Sequence, residues 1–160
     1  MTNTSTADMR RLIYISSAMG SVGQAELDQI LARSRTNNAA RGLTGMLLFH
    51  DGCFFQILEG EADSVERTFA TISRDTRHGG VIVLESRAIT ERGFPQWSMG
   101  YVRAHALHPT QRQWLVDLSA RVASDDPKTL SDVARINIHV EAFLSSFREF
   151  AWSDVVRLDA

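Results

Sequence analysis

Two apolar runs meet at Asp51-Gly52, and this junction constrains the fold more than any other stretch of the 160-residue chain. The runs are Thr44 to His50 and Cys53-Phe54-Phe55-Gln56-Ile57-Leu58-Glu59-Gly60. Asp-Gly tolerates the positive φ angles of a two-residue hairpin turn, so the runs are read as adjacent antiparallel strands. A lone hairpin is marginal in water, so other elements must extend and cover it. Arg11-Leu12-Ile13-Tyr14-Ile15-Ser16, β-branched and aromatic, is read as a strand preceding the hairpin. Val81 to Glu85 is read as a strand following it. Gln96 to Val102, after Pro95, is the expected last strand, weakened by Gly100.

Helical patterns separate these strands. Ser21 with Gln24 makes a capping-box pattern, after which Leu27, Ile30, Leu31 and Ser34 fall on one face. This helix is expected to fray near Asn37-Asn38, before Gly42. Asp63 with Glu66 suggests a second cap; Val65, Phe69, Ile72 and Thr76 share a face, and the helix should end near Arg77-His78-Gly79-Gly80. The order β-α-β-β-α-β-β is α+β, the ferredoxin-like split β-α-β arrangement with one extra strand. Right-handed crossovers place both helices on one sheet face.

Residues 9–103 are expected to form this domain and residues 104–160 a two-helix extension. Trp114, Leu115, Leu118 and Val122 mark one amphipathic helix, closed before Pro127. Val133, Ile136, Val140, Phe143, Phe147 and Phe150 alternate three- and four-residue steps, a short heptad-like seam. The seam is expected to cover the other face of the sheet or to serve self-association.

Bulk properties exclude several classes. A net charge of −2 gives no pull toward nucleic acid or anionic lipid. No apolar run approaches a membrane span, and Met1 to Asp8 lacks the apolar core of a leader. Cys53 is the single cysteine, which excludes an intrachain disulfide and suits a reducing, cytoplasmic compartment; it is read as a small core residue. His105 and His108 have no Cys or carboxylate beside them, so no metal site is expected. Gly20-Ser21-Val22-Gly23 lacks the spacing of a phosphate fingerprint. Arg33, Arg35 and Arg41 read as a solvated face.

Polar residues at positions that should be buried carry the functional reading. Tyr14 lies on the first strand, Ser34 and Asn38 late in the first helix, and Gln56 on the second arm of the hairpin. Period-two alternation puts Phe54, Gln56 and Leu58 on one face. Tyr14 and Gln56 on neighbouring strands bring a phenol and an amide into one cleft, with Arg77 and His78 closing it. Ile30, Phe55 and Ile72 are expected to frame that cleft. Apolar walls with amides at the rim suit a flat aromatic ligand edged with heteroatoms.

The chain resembles the BLUF family of flavin-using blue-light sensors. The resemblance rests on Arg11 to Ser16, Asn37-Asn38-Ala39-Ala40-Arg41-Gly42-Leu43-Thr44-Gly45, Phe54 to Gly60, Arg74-Asp75-Thr76-Arg77-His78 and Phe94-Pro95-Gln96-Trp97-Ser98-Met99. It implies a non-covalently bound flavin, FAD or FMN, with Tyr14 as electron and proton donor to its excited state. Gln56 would bridge Tyr14 and the flavin edge, and rearrange its amide by rotation or tautomerisation. Asn38 would fix the flavin carbonyl edge, with Ser34 supporting it and Arg77 and His78 touching the pyrimidine side. Trp97 and Met99 would relay the change outward. The other reading is a small flavin-dependent redox enzyme; no nicotinamide site, metal, or nucleophile paired with a base supports it, so no turnover is expected. Output is then expected to pass through a homo-oligomer or a separate downstream signalling protein.

Overall fold

The computed structural model describes residues 8–95 and 98–103, with 135–136, 138–140 and 142–143. Its elements run β1 (Met9–Ala18), α1 (Gln24–Arg41), β2 (Thr44–His50), β3 (Cys53–Glu61), α2 (Ala62–Arg74), β4 (His78–Ile89) and β5 (Gly100–Arg103). The sheet order is β4-β1-β3-β2-β5. β1 is antiparallel to both β3 and β4, and β2 to β3. Each helical crossover therefore skips one strand: α1 joins strands flanking β3, and α2 joins strands flanking β1. This is the split β-α-β arrangement with β5 added beside β2.

The hairpin turn forms as its dipeptide dictates. Asp51 and Gly52 take φ of 46° and 76°, and His50 pairs with Cys53. Gly45 is required by close approach: a Cβ there would stand 1.9 Å from the Ile57 carbonyl oxygen of β3. The core lies between helices and sheet. Leu27 and Leu31 from α1 and Val65 from α2 pack with Leu12, Tyr14, Leu47, Phe54 and Leu58, so both helices cover one face.

Several boundaries differ from expectation. The N-cap of α1 is Gly23, not Ser21, because Gly23 takes the extended conformation and Glu26 Oε2 accepts its N–H at 3.0 Å. α1 does not fray at Asn37-Asn38; Asn38 is buried, and the helix stops only where Gly42 turns left-handed at φ 67°. α2 stops early, at Arg74. Asp75 leaves helical geometry and its Oδ1 accepts the Arg77 N–H at 2.9 Å, a local turn that competes with the helix. Thr76 is thus exposed outside α2, and Thr68 takes the buried position beside Val65. His78 opens β4 and is not a helix end. β4 outruns Val81–Glu85 because it pairs along β1 from Met9↔Ile89 to Ala18↔His78, through two register shifts. β5 begins at Gly100, not Gln96. Cys53, at the hairpin end, is only half-buried.

The chain divides into two compact units, Met1–Val102 and Arg103–Ala160. In the second, Ile136, Val140 and Phe143 are buried at helical spacing, while Ile138 is 65% exposed. The Trp114–Val122 helix, the rest of the Val133–Phe150 seam, and His105 and His108 lie outside the described residues, as does any packing of that seam on the sheet. Among the described residues no helix is long and apolar enough to cross a membrane, and no cluster of His, Cys, Asp or Glu could hold a metal.

Candidate functional site

Register builds the centre of the site. Tyr14 on β1 stands directly across from Gln56 on β3, and Gln56 across from Leu47 on β2. Opposed residues share a sheet face, so the phenol and the amide both point to the helix side. The Tyr14 hydroxyl donates to Gln56 Oε1. Gln56 Nε2 in turn donates to the Met99 sulfur at 3.7 Å. Tyr14 is 3% exposed, Gln56 6% and Met99 2%. Burial pushes the Tyr14 phenol well above the usual phenol range, and the Asp75 charge adds to the effect.

The flanking rings are held in place. His78 Nε2 lies 2.5 Å from the Ile72 carbonyl oxygen, which can only accept, so Nε2 carries the hydrogen. Its Nδ1 lies 2.8 Å from Ser16 Oγ. The Phe69 ring sits 5.4 Å from Tyr14, and the Phe54 ring meets His78 edge-on at 6.4 Å. Nearer solvent, Arg77 grips Asp75 from Nε at 3.0 Å to each carboxylate oxygen. That pairing holds the Asp75 carboxyl down at about 2.

A cavity of about 250 Å³ opens between the two helices above β1 and β3. It brings together Tyr14, Gln56, Ile30, Ser34, Ile72, Arg77 and His78 of the expected site. Phe55 is not among its lining residues, which corrects the expectation. Strand alternation turns Phe55, across from Ile15 and Leu48, to the opposite face, and its neighbour Phe54 lines the cavity instead. Phe54 shares the parity of Gln56, so the alternation already held that answer. Asn38 does not line the cavity either; it is 3% exposed, and its Nδ2 donates to the Ser98 carbonyl at 2.7 Å. Met99 sits just ahead of β5, not on it, and Trp97 lies outside the described residues. Leu47, Val22 and Gln29 complete walls that the sequence reading missed.

The lining fits a planar heterocycle: Ile30, Ile72, Leu47 and Phe54 offer apolar surface, and Gln56, Ser34, His78 and Arg77 offer polar contacts at its margin. The profile of the BLUF family, described as sensors of blue-light using FAD, matches residues 9–100. The chain belongs to this family. The family is one of blue-light sensors that use a flavin, and this membership favours a photoreceptor over the redox-enzyme reading. It is 32% identical over 97 residues to photoactivated adenylate cyclase subunit beta of Euglena longa, covering 60% of this chain and 11% of that one. Over 73 residues it is 30% identical to the blue light- and temperature-regulated antirepressor BluF of Escherichia coli K12, covering 46% and 18%. Among solved structures, the dark state of the BLUF protein BlrB superposes with TM-score 0.61 at 30% identity, covering 83% of this chain and 98% of BlrB. Klebsiella pneumoniae BlrP1 with FMN and cyclic diGMP gives 0.63 at 28%, covering 79% and 34%. The chain thus spans only a small part of the curated relatives it matches.

Proposed function

We propose that Tyr14, Gln56 and Met99 form the switch of this photoreceptor, with Ile30, Ser34, Ile72, Arg77 and His78 holding the flavin ring, joined by Phe54. The observation that carries this reading is the chain of buried hydrogen bonds from the Tyr14 hydroxyl to Gln56 Oε1, and from Gln56 Nε2 to the Met99 sulfur. When bound, the flavin supplies absorption of blue light and an excited state that accepts an electron. Burial keeps the Tyr14 phenol neutral at rest. A phenol that has lost an electron is a strong acid, and its hydrogen already points at Gln56 Oε1, so the proton has somewhere to go without rearrangement. Gln56 both donates and accepts, so its amide can reverse without burying new charge. After reversal Nε2 faces Tyr14 and Oε1 faces Met99. A thioether has no hydrogen to donate, so Met99 loses its partner and is the first group beyond the pair to respond. Asn38, tied to Ser98, and Trp97 complete the proposed flavin and relay contacts.

FAD is favoured as the flavin by the family description, and FMN by the neighbour that holds it. The sensor is proposed to span residues 9–103, the extension 104–160, and the chain to act without turnover in the cytoplasm. Its output is proposed to pass through a homo-oligomer or a separate signalling protein, since similar chains are attached to adenylate cyclases. The test is to load the protein with FAD or FMN and illuminate it. A reversible red shift with dark recovery and no added reductant supports the reading. Bleaching only with a reduced nicotinamide would sink it.

A further inference from the structure

We infer that Arg35 is a positioning residue of this switch, setting through the main-chain carbonyl of Met99 where the Met99 sulfur stands against the Gln56 amide. The inference rests on the proposed switch only for its photochemical consequence. Residues 98 and 99 precede β5, which begins at Gly100, so the strand does not yet fix them. Helix α1 holds them instead. Arg35 Nε donates to the Met99 carbonyl at 3.0 Å, and Asn38 Nδ2 to the Ser98 carbonyl at 2.7 Å. Positions 35 and 38 are three apart and lie on one helix face, so neighbouring side chains grip two consecutive carbonyls.

The consequence follows from what each atom can do. The Met99 sulfur is a weak acceptor on a flexible side chain, and its bond to Gln56 Nε2 at 3.7 Å depends on placement more than on strength. Placement comes from the backbone, and the guanidinium bond to that backbone is charge-assisted. When the Gln56 amide reverses, Met99 loses its donor while Arg35 still holds its carbonyl. Arg35 holds the carbonyl in both arrangements, so its own bond favours neither. It keeps the sulfur in reach of Gln56 Nε2, a bond made only in the resting arrangement, and confines the response to the Met99 side chain. Arg35 does not line the cavity and is not hydrogen-bonded to Tyr14 or Gln56, so the red shift itself does not need it. Arg35, itself exposed, thus connects α1 to the segment that leads into β5.

The test compares wild type, Arg35→Ala and Arg35→Lys by two readouts. The first is the Met99 methyl resonance in flavin-free protein in the dark, assigned by its loss in Met99→Leu. It should shift in Arg35→Ala and move back toward wild type in Arg35→Lys, which restores a donor. The second is the photocycle of the flavin-loaded protein. Arg35→Ala should keep the size of the red shift while dark recovery slows by about threefold, as weakening of the Gln56–Met99 bond, made only in the resting state, implies. Should the alanine variant fail to fold, Arg35→Gln replaces it. An unmoved Met99 resonance, or wild-type recovery in a folded variant, overturns the role of Arg35. Absence of any red shift in wild type overturns the proposed switch instead, and the Met99 resonance then still decides whether Arg35 positions the sulfur.

Discussion

Strands β1 and β3 carry two buried polar pairs, Tyr14 across from Gln56 and Arg11 across from Glu59, only three rungs apart. The odd spacing sends them to opposite faces of the sheet. Arg11 is 1% exposed and Glu59 0%. Glu59 Oε2 accepts from Arg11 Nη2 at 3.1 Å and from the Gly93 N–H at 2.8 Å, while Oε1 accepts from the Phe94 N–H at 3.0 Å. Arg92 adds bonds to the Glu59 and Gly42 carbonyls. A carboxylate only accepts and a guanidinium only donates, so this pair has one arrangement. The Tyr14–Gln56 pair is neutral, and its amide works in either sense. Charge fixes one site and neutrality leaves the other free to reverse. The two sites are also connected: Glu59 anchors residues 93 and 94, and the same segment ends at Ser98 and Met99.

Breaking the fixed pair should have the largest effect. Glu59→Ala removes the partner of a buried ion pair and the acceptor of two backbone N–H groups, and should destabilise by about 3–5 kcal/mol; denaturant unfolding measures it. A loss under about 1 kcal/mol would show that the pair is not the anchor described. Replacing both members, as in Arg11→Met with Glu59→Leu, should recover little, because Gly93 and Phe94 still lack their acceptor. The neutral pair should behave in the opposite way. Tyr14→Phe strands the Gln56 carbonyl oxygen and should cost about 1–3 kcal/mol, whereas Tyr14→Phe with Gln56→Leu should restore most of that loss. Equal stability of the single and double variants would contradict the comparison.

Proton linkage gives two smaller tests. The Tyr14 phenol is raised in the folded protein. The stability it contributes is therefore complete below the ordinary phenol value of 10.0 and lost as pH rises above it. Ultraviolet difference titration should show phenolate at Tyr14 appearing only with alkaline unfolding, and Tyr14→Phe should flatten that limb. Asp75 runs the other way. Its carboxyl is lowered by Arg77, so its contribution is present above 3.8 and lost as pH falls through about 2. Arg77 is 53% exposed, so the pair is solvent-screened. Asp75→Asn should change the acid limb of the stability curve by less than about 1 kcal/mol, read by thermal unfolding across pH.

Local signals in the sequence were enough for much of this. Asp51-Gly52 set the hairpin, and a polar residue of the right parity on each of two central strands placed Tyr14 against Gln56. Features decided by tertiary or competing local interactions were not legible. α2 ends at Arg74 because the Asp75 carboxylate takes the Arg77 N–H, a competition that helical periodicity does not register, and this moves His78 onto β4. Asn38 looked like a fraying signal because its partner, the Ser98 carbonyl, lies sixty positions away. Arg35 is exposed as expected, but its bond to the Met99 carbonyl was not legible, for the same reason. Glu59 carried no local signal of its role, since the N–H groups it satisfies belong to a distant loop. Phe55 is a different case: the alternation rule that selected Gln56 already assigned Phe55 to the other face.

The central claim is that Gln56 is the reversible element and Tyr14 its donor. The most direct measurement is the light-minus-dark spectrum of flavin-loaded wild type beside Gln56→Leu and Tyr14→Phe. The account predicts a reversible red shift in wild type, and bound flavin with no red shift in either variant. A normal photocycle in Gln56→Leu would contradict it.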